Sequence, residues 1–218
     1  MKLFAIFFIL LSLLCSCNHH KSNTAPSTTF VDSTKSVRYG HYWLTPKENF
    51  KFHSFGQSSS DTISIITCSD FVYFPFGKIL SSNDIQTSSL KDYKTISFKR
   101  DTSTIYGISE KDYLLWLEWL TIKNESSSLK LFFENDPEDV IHSYVIEGQI
   151  TDSETSLINN IKLGISIEDF WELFFDLFPK DLENKTRVIV LISFVDDIKH
   201  VYTFDNKKLR SIIFVGNL

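Results

Sequence analysis

The residues of this 218-residue chain that could do chemistry are three cysteines, six histidines and several acidic clusters, and their spacing favours binding over catalysis. Cys68 follows the apolar run 62–67 with no basic neighbour to lower its pKa, so a buried, inert thiol is expected there rather than a nucleophile. His19 and His20 have no third ligand near them in sequence and read as solvated. His142 and His200 stand at matching places in two similar stretches; partly exposed strand residues are expected rather than a shared site. Asn135-Asp136-Pro137-Glu138-Asp139 and Asp196-Asp197 offer oxygens to a Ca²⁺, but without the spacing of an EF-hand loop, and turns attract such residues anyway. There is no Gly-rich phosphate loop, His-Glu-x-x-His, Cys-x-x-Cys or Gly-x-Ser-x-Gly. The expectation is a protein with no catalytic residue, no cofactor and no metal.

Aromatic residues offer a second kind of chemistry, stacking. Ten of them fall between Tyr39 and Phe76. They either fill a core or form a platform for a sugar or apolar ligand. Tyr73, Phe74 and Phe76 are the candidates for the second role, because Pro75 cannot donate to a ladder and places their segment at an edge strand.

At the N-terminus Lys2 precedes the apolar run 3–14, which is too short to span a bilayer, since that takes ~20 residues. The pattern is an export signal over residues 1–16. Leu14-Cys15-Ser16-Cys17 resembles the lipobox of bacterial lipoproteins; the other reading is a plain cleaved signal with a chance cysteine. The resemblance implies that Cys17 becomes the diacylated N-terminal residue and ties the protein to a membrane, each buried CH₂ contributing ~0.8 kcal/mol. Asn18, where an Asp would hold a Gram-negative lipoprotein at the inner membrane, and the absence of an acidic cluster after it imply the periplasm-facing side of the outer membrane. Residues 17–36, rich in Ser, Thr and Asn, read as a flexible tether with a mean reach of roughly 25 Å.

Those residues must be positioned by the elements that follow. Residues 37–100 read as β-rich, with strands at 62–67 and 93–98, a short helix from Thr45-Pro46 and a loop over 80–89. Gly107-Ile108-Ser109-Glu110-Lys111-Asp112-Tyr113 is echoed by Gly164-Ile165-Ser166-Ile167-Glu168-Asp169-Phe170, and similar strand-like pieces begin at 139 and 197; the offsets are 57 and 58. Such spacing predicts two tandem units, about 101–157 and 158–218. In each, a Ser-x-x-Asp capping box (Ser109 with Asp112, Ser166 with Asp169) precedes apolar residues at helical spacing: Tyr113, Leu114, Trp116, Leu117 and Leu120, then Phe170, Trp171, Leu173, Phe174, Leu177 and Phe178. Pro179 is expected to stop the second helix. Strands are expected at 129–133 and 140–146, then at 187–194, 200–204 and 209–215, with a turn at 205–208. The predicted fold is α+β: antiparallel sheet with helices on one face, as a tandem repeat of helix plus β-meander.

The segment 161–170 with a meander behind it resembles the tandem helix-plus-sheet modules of β-lactamase-inhibitor-like proteins, a fold shared by small outer-membrane-assembly lipoproteins. That resemblance implies a non-catalytic protein that binds another protein on a sheet face. The net charge of −5 without a basic stripe argues against nucleic acid, whose affinity comes largely from phosphate neutralisation. The expected partners are the membrane, through Cys17, and another envelope protein, with glycan or small-ligand binding at Tyr73, Phe74 and Phe76 as the alternative.

Overall fold

Along Ile198–Asp205, Ile198, His200, Tyr202 and Phe204 are buried while Lys199, Val201 and Thr203 are only half-buried, the period of two that a strand with one covered face requires. The same alternation recurs through most of the computed structural model, which describes residues 35–106, 112–136 and 143–216. They lie within one compact unit, Thr34–Leu218.

Two sheets are present among the described residues. The smaller joins β1 (Val37–Tyr39), β2 (Tyr42–Pro46) and β9 (Phe175–Leu177), in that order. The larger contains β3 (Phe52–Phe55), β4 (Thr62–Thr67), β5 (Lys94–Tyr106), β6 (Asp112–Lys123), β7 (Ser128–Glu134), β8 (Ser143–Ile150), β10 (Val188–Ser193), β11 (Ile198–Asp205) and β12 (Lys208–Gly216). Its order is β3-β4-β10-β11-β12-β8-β7-β6-β5. All its pairs are antiparallel except β4 with β10.

The register puts Ile63, Ile65, Ile189, Leu191, Tyr202 and Ile212 on one face, continued outward by Leu129, Leu131, Leu120 and Ile122, and all of these are buried. Among the segments that share this core are the short helices α1 (Asp70–Tyr73) and α2 (Ile167–Trp171), through Phe71, Phe170 and Trp171. A third short helix, α3 (Lys180–Lys185), leads into β10. Phe170 sits at the centre of this core, with ring centroids 4.8 Å from Tyr202, 5.0 Å from Phe174 and 5.4 Å from Phe204.

This is a β-rich fold, not the expected α+β arrangement, with 49% of the described residues in strand against 14% in helix. The tandem repeat fails at its first copy. Tyr113, Leu114, Trp116, Leu117 and Leu120 lie on β6, which pairs with β5 over its whole length and with β7 from Leu117 to Lys123. A stretch so uniformly apolar satisfies either period, and a strand with neighbours on both edges gains two ladders that a helix would forgo. Gly107 to Lys111, with the first capping serine, lies outside the described residues.

The second cap does form: the Ser166 hydroxyl accepts from the Asp169 amide at 3.0 Å. The helix behind it is only five residues long. Phe174 and Phe175 leave it to pack against Phe50, with centroids at 4.8 and 5.9 Å, and the chain continues as β9. Pro179 precedes α3 instead of ending α2. Thr45-Pro46 closes β2 and starts no helix, and residues 82–87 of the expected loop form a 3₁₀ turn. The strands predicted after α3 are present, and Asn206 and Lys207 turn β11 into β12 with φ of 49° and 61°, the two left-handed residues of a tight hairpin.

Candidate functional site

At the outer end of the large sheet, charged and aromatic side chains are exposed together. Among the described residues β5 is the last strand and pairs only with β6. Every residue from 94 to 104 is exposed, Ile96 at 63% and Phe98 at 51%. β7 stops with Glu134 opposite Leu117, and the chain after it stays beside β6. There the Asn135 side chain accepts from the Trp116 amide at 2.6 Å and donates to the Leu114 carbonyl at 2.9 Å, and Asp136 accepts from the Tyr113 hydroxyl at 2.7 Å. Lys99 lies 2.6 Å from Asp101 and 4.7 Å from the centre of the Trp119 ring. On the other face Arg100 covers Trp116 at 5.1 Å and reaches Glu118 at 3.4 Å. Glu118 is 2% exposed, and its second oxygen accepts from the Ser82 amide at 3.0 Å. A carboxylate so deep is tolerable because both oxygens have donors.

A second carboxylate fixes the other end of the β5–β6 pair, where Lys94 lies opposite Lys123. Asp152, just after β8, accepts from the Asn124 side chain at 2.8 Å, the Thr155 amide at 2.7 Å, the Tyr93 hydroxyl at 3.2 Å and the Ser127 hydroxyl. Burial pushes its carboxyl up, but the hydrogen bonds from Ser127, Asn124 and Thr155 outweigh that and hold it well below the usual carboxylate range. Burial also raises the Tyr93 phenol. One anion thus joins the entry to β5, the β6–β7 turn and the exit of β8.

The opposite face of the sheet from the core carries a different surface. In register across β4, β10, β11 and β12 run Ile66, Ile192, Lys199 and Val215, and beside them Ser64, Val190, Val201 and Ile213. Ile213 and Val215 are 37% and 44% exposed, and Phe194 and Val195 in the adjoining turn are 40% and 49% exposed. β-Branched residues here follow strand propensity, and those of β12 stay open to water.

The predicted site residues fall elsewhere. Tyr73 belongs to helix α1, not to an edge strand; it is buried, and its hydroxyl meets Ser193 at 3.0 Å. Phe74 and Phe76 are half-buried, and Phe76 packs 5.7 Å from Phe214. With Leu131, Phe133 and Tyr144 these three line a hollow of about 20 Å³, room for a water rather than a sugar ring. His200 is fully buried, and burial pushes its imidazole down to about 3; the Phe71 backbone counters weakly, and neither ring nitrogen has a well-formed hydrogen bond. Cys68 is half-buried. Cys17, His19, His20, His142 and Pro137 to Asp139 lie outside the described residues.

Among the described residues no three His, Cys, Asp or Glu side chains cluster as a metal site, and no helix is long and apolar enough to cross a membrane. The β5 edge was missed because edge position depends on strand order. Its local signal was Ile96 and Phe98 set among Ser, Thr and Lys. Comparison of the chain with protein-family profiles, curated proteins and solved structures returned no match.

Proposed function

We propose that this chain is a cell-envelope lipoprotein, acylated at Cys17, that binds another envelope protein without reaction chemistry of its own. The lipobox-like Leu14-Cys15-Ser16-Cys17 supports the anchor, and Asn18 supports the periplasm-facing side of the outer membrane. The observation that carries the binding role is the apolar patch of Val190, Ile192, Val201, Ile213 and Val215 around Lys199, flanked by Phe194 and Val195. A contiguous apolar surface on a sheet face costs free energy in water and gains it back when a partner covers it.

The test is the full chain in a diderm host with a photo-crosslinking residue at Val215, at Ile213 or at the exposed Glu154 as a control. One envelope protein joined from the first two positions and not from the third is the expected result. Crosslinks to lipid alone, or equal yields at all three positions, would remove the partner. Mass spectrometry of the N-terminal peptide checks the anchor separately: a diacylated Cys17 is expected, absent in Cys17→Ser, and an unmodified N-terminus would remove it.

A further inference from the structure

Natural sheets guard their edges with short strands, proline, bulges or inward charges, because an unpaired row of N–H and C=O groups invites another strand. β5 lacks the first two, and its charged side chains, another common guard, are confined to Lys94 and the run Lys99 to Asp101. It runs from Lys94 to Tyr106 without a proline, more than twice the usual strand length of about 5–6 residues, with one irregularity between Thr95 and Ser97. From 94 to 104 it is exposed on both faces.

Its charges are also self-complementary. Between Thr95 and Thr104 the only ionic residues are Lys99, Arg100 and Asp101, consecutive and near the middle. We propose that two copies of this chain join antiparallel through β5, about a two-fold axis at Arg100 perpendicular to the sheet, so that one sheet continues through both. Such an axis maps each face onto itself, so directly opposed residues must come from the same face. Centring on Arg100 meets that rule and sets Lys99 opposite Asp101 of the second copy twice over. It also sets Phe98 opposite Thr102, and Ser97 opposite Ser103.

The neighbouring centres lose this match. An axis at Asp101 opposes Asp101 to itself, and an axis at Lys99 opposes the two lysines. The cost of the chosen register is Arg100 facing Arg100. Each guanidinium already lies 3.4 Å from its own Glu118 and over its own Trp116, which offsets much of that repulsion. The second copy would cover Ile96 and Phe98, the most exposed apolar residues of the edge.

The test is sedimentation equilibrium of the full chain, carrying Cys17→Ser to keep it out of micelles, over a concentration series. The parent is expected to dimerise reversibly. Lys99→Asp and Asp101→Lys should each raise the dissociation constant at least tenfold, since each places like charges in opposition twice. An equimolar mixture of the two variants should recover a heterodimer, because both acidic side chains of the first variant then face lysines of the second. Circular dichroism should show both variants folded, as the altered side chains are exposed. A parent that stays monomeric up to its solubility limit overturns the proposal. So does a dimer indifferent to both variants, or a mixture that does not recover. None of these outcomes bears on the partner proposed above, which rests on the face of β10 to β12.

Discussion

Around Tyr202 on β11 the sheet has a strand on each side and a covered face; around Phe98 on β5 it has one neighbouring strand and no cover. Both regions are rich in aromatic and β-branched residues, so composition does not separate them. Position in the strand order does. The inner region buries even polar atoms at a loss, since Tyr202 Oη on β11 and Trp171 Nε1 on α2 have no hydrogen-bond partner among the described residues. The outer strands leave Phe98 in water and hold their few buried polar groups in full, as at Glu118. The core face of the first region is committed to stability, and the second keeps both its faces available.

Phe170→Ala gives the largest break of this contrast. The ring is fully buried against Phe174, Tyr202 and Phe204, and its loss leaves a cavity costing about 3–5 kcal/mol, read from urea unfolding. Next comes acid. The folded chain holds His200 neutral down to about 3, whereas unfolded it takes a proton below its ordinary 6.5. The unfolded state therefore binds more protons in that window. Stability should fall with pH there by as much as about 1.4 kcal/mol per unit, on top of any other titration. His200→Leu should flatten this dependence between pH 6.5 and about 4, and an unchanged slope would place the loss on another group.

The joint between the two regions is β8, where Gly148 faces Leu129 and Phe214. A Cβ there would lie 2.6 Å from the Ser128 carbonyl and 2.7 Å from Leu129. Gly148→Ala should cost about 1–3 kcal/mol by overpacking, and hydrogen exchange should quicken in β7 more than in β10. Asp152→Asn acts further out and more gently, at about 1–2 kcal/mol near neutral pH, given its partial exposure. Because the folded pKa of Asp152 is depressed, its contribution is fully present above the unfolded value of about 3.9 and disappears as pH falls through the folded one. The difference between parent and variant should therefore shrink in acid.

Much of the inner region was legible in the sequence, and much of the outer one was not. From Val188 to Gly216 short β-branched and aromatic runs are separated by polar turns, and Asp205-Asn206-Lys207-Lys208 marks the hairpin, so local rules suffice. The Ser166 cap was equally local. The length of its helix was not, since Phe174 is drawn away by Phe50 and Phe71, more than a hundred residues earlier. From Tyr113 to Leu120 nearly every residue is apolar, a pattern with no period to read, and pairing with β5 and β7 decides it. The edge itself had no reliable local mark. Nor did the fate of Tyr73, whose segment looked extended around Pro75 yet turns as a helix just before it.

The smallest effect is the sharpest form of the comparison. Phe98→Ala removes an aromatic ring from β5, as Phe170→Ala does from the core, but the ring of Phe98 is 51% exposed and covers little. The unfolding free energy of the dilute chain should change by no more than about 0.5 kcal/mol. Any larger loss would show that β5 is packed from a side the described residues do not reveal, and would move it into the same class as β11. If stability holds while self-association weakens, the phenyl ring contributes to contact between copies and not to the fold. That pair of results cannot come from a core-facing residue of the inner strands, such as Phe170's neighbours Tyr202 and Phe204, whose loss would be read in stability.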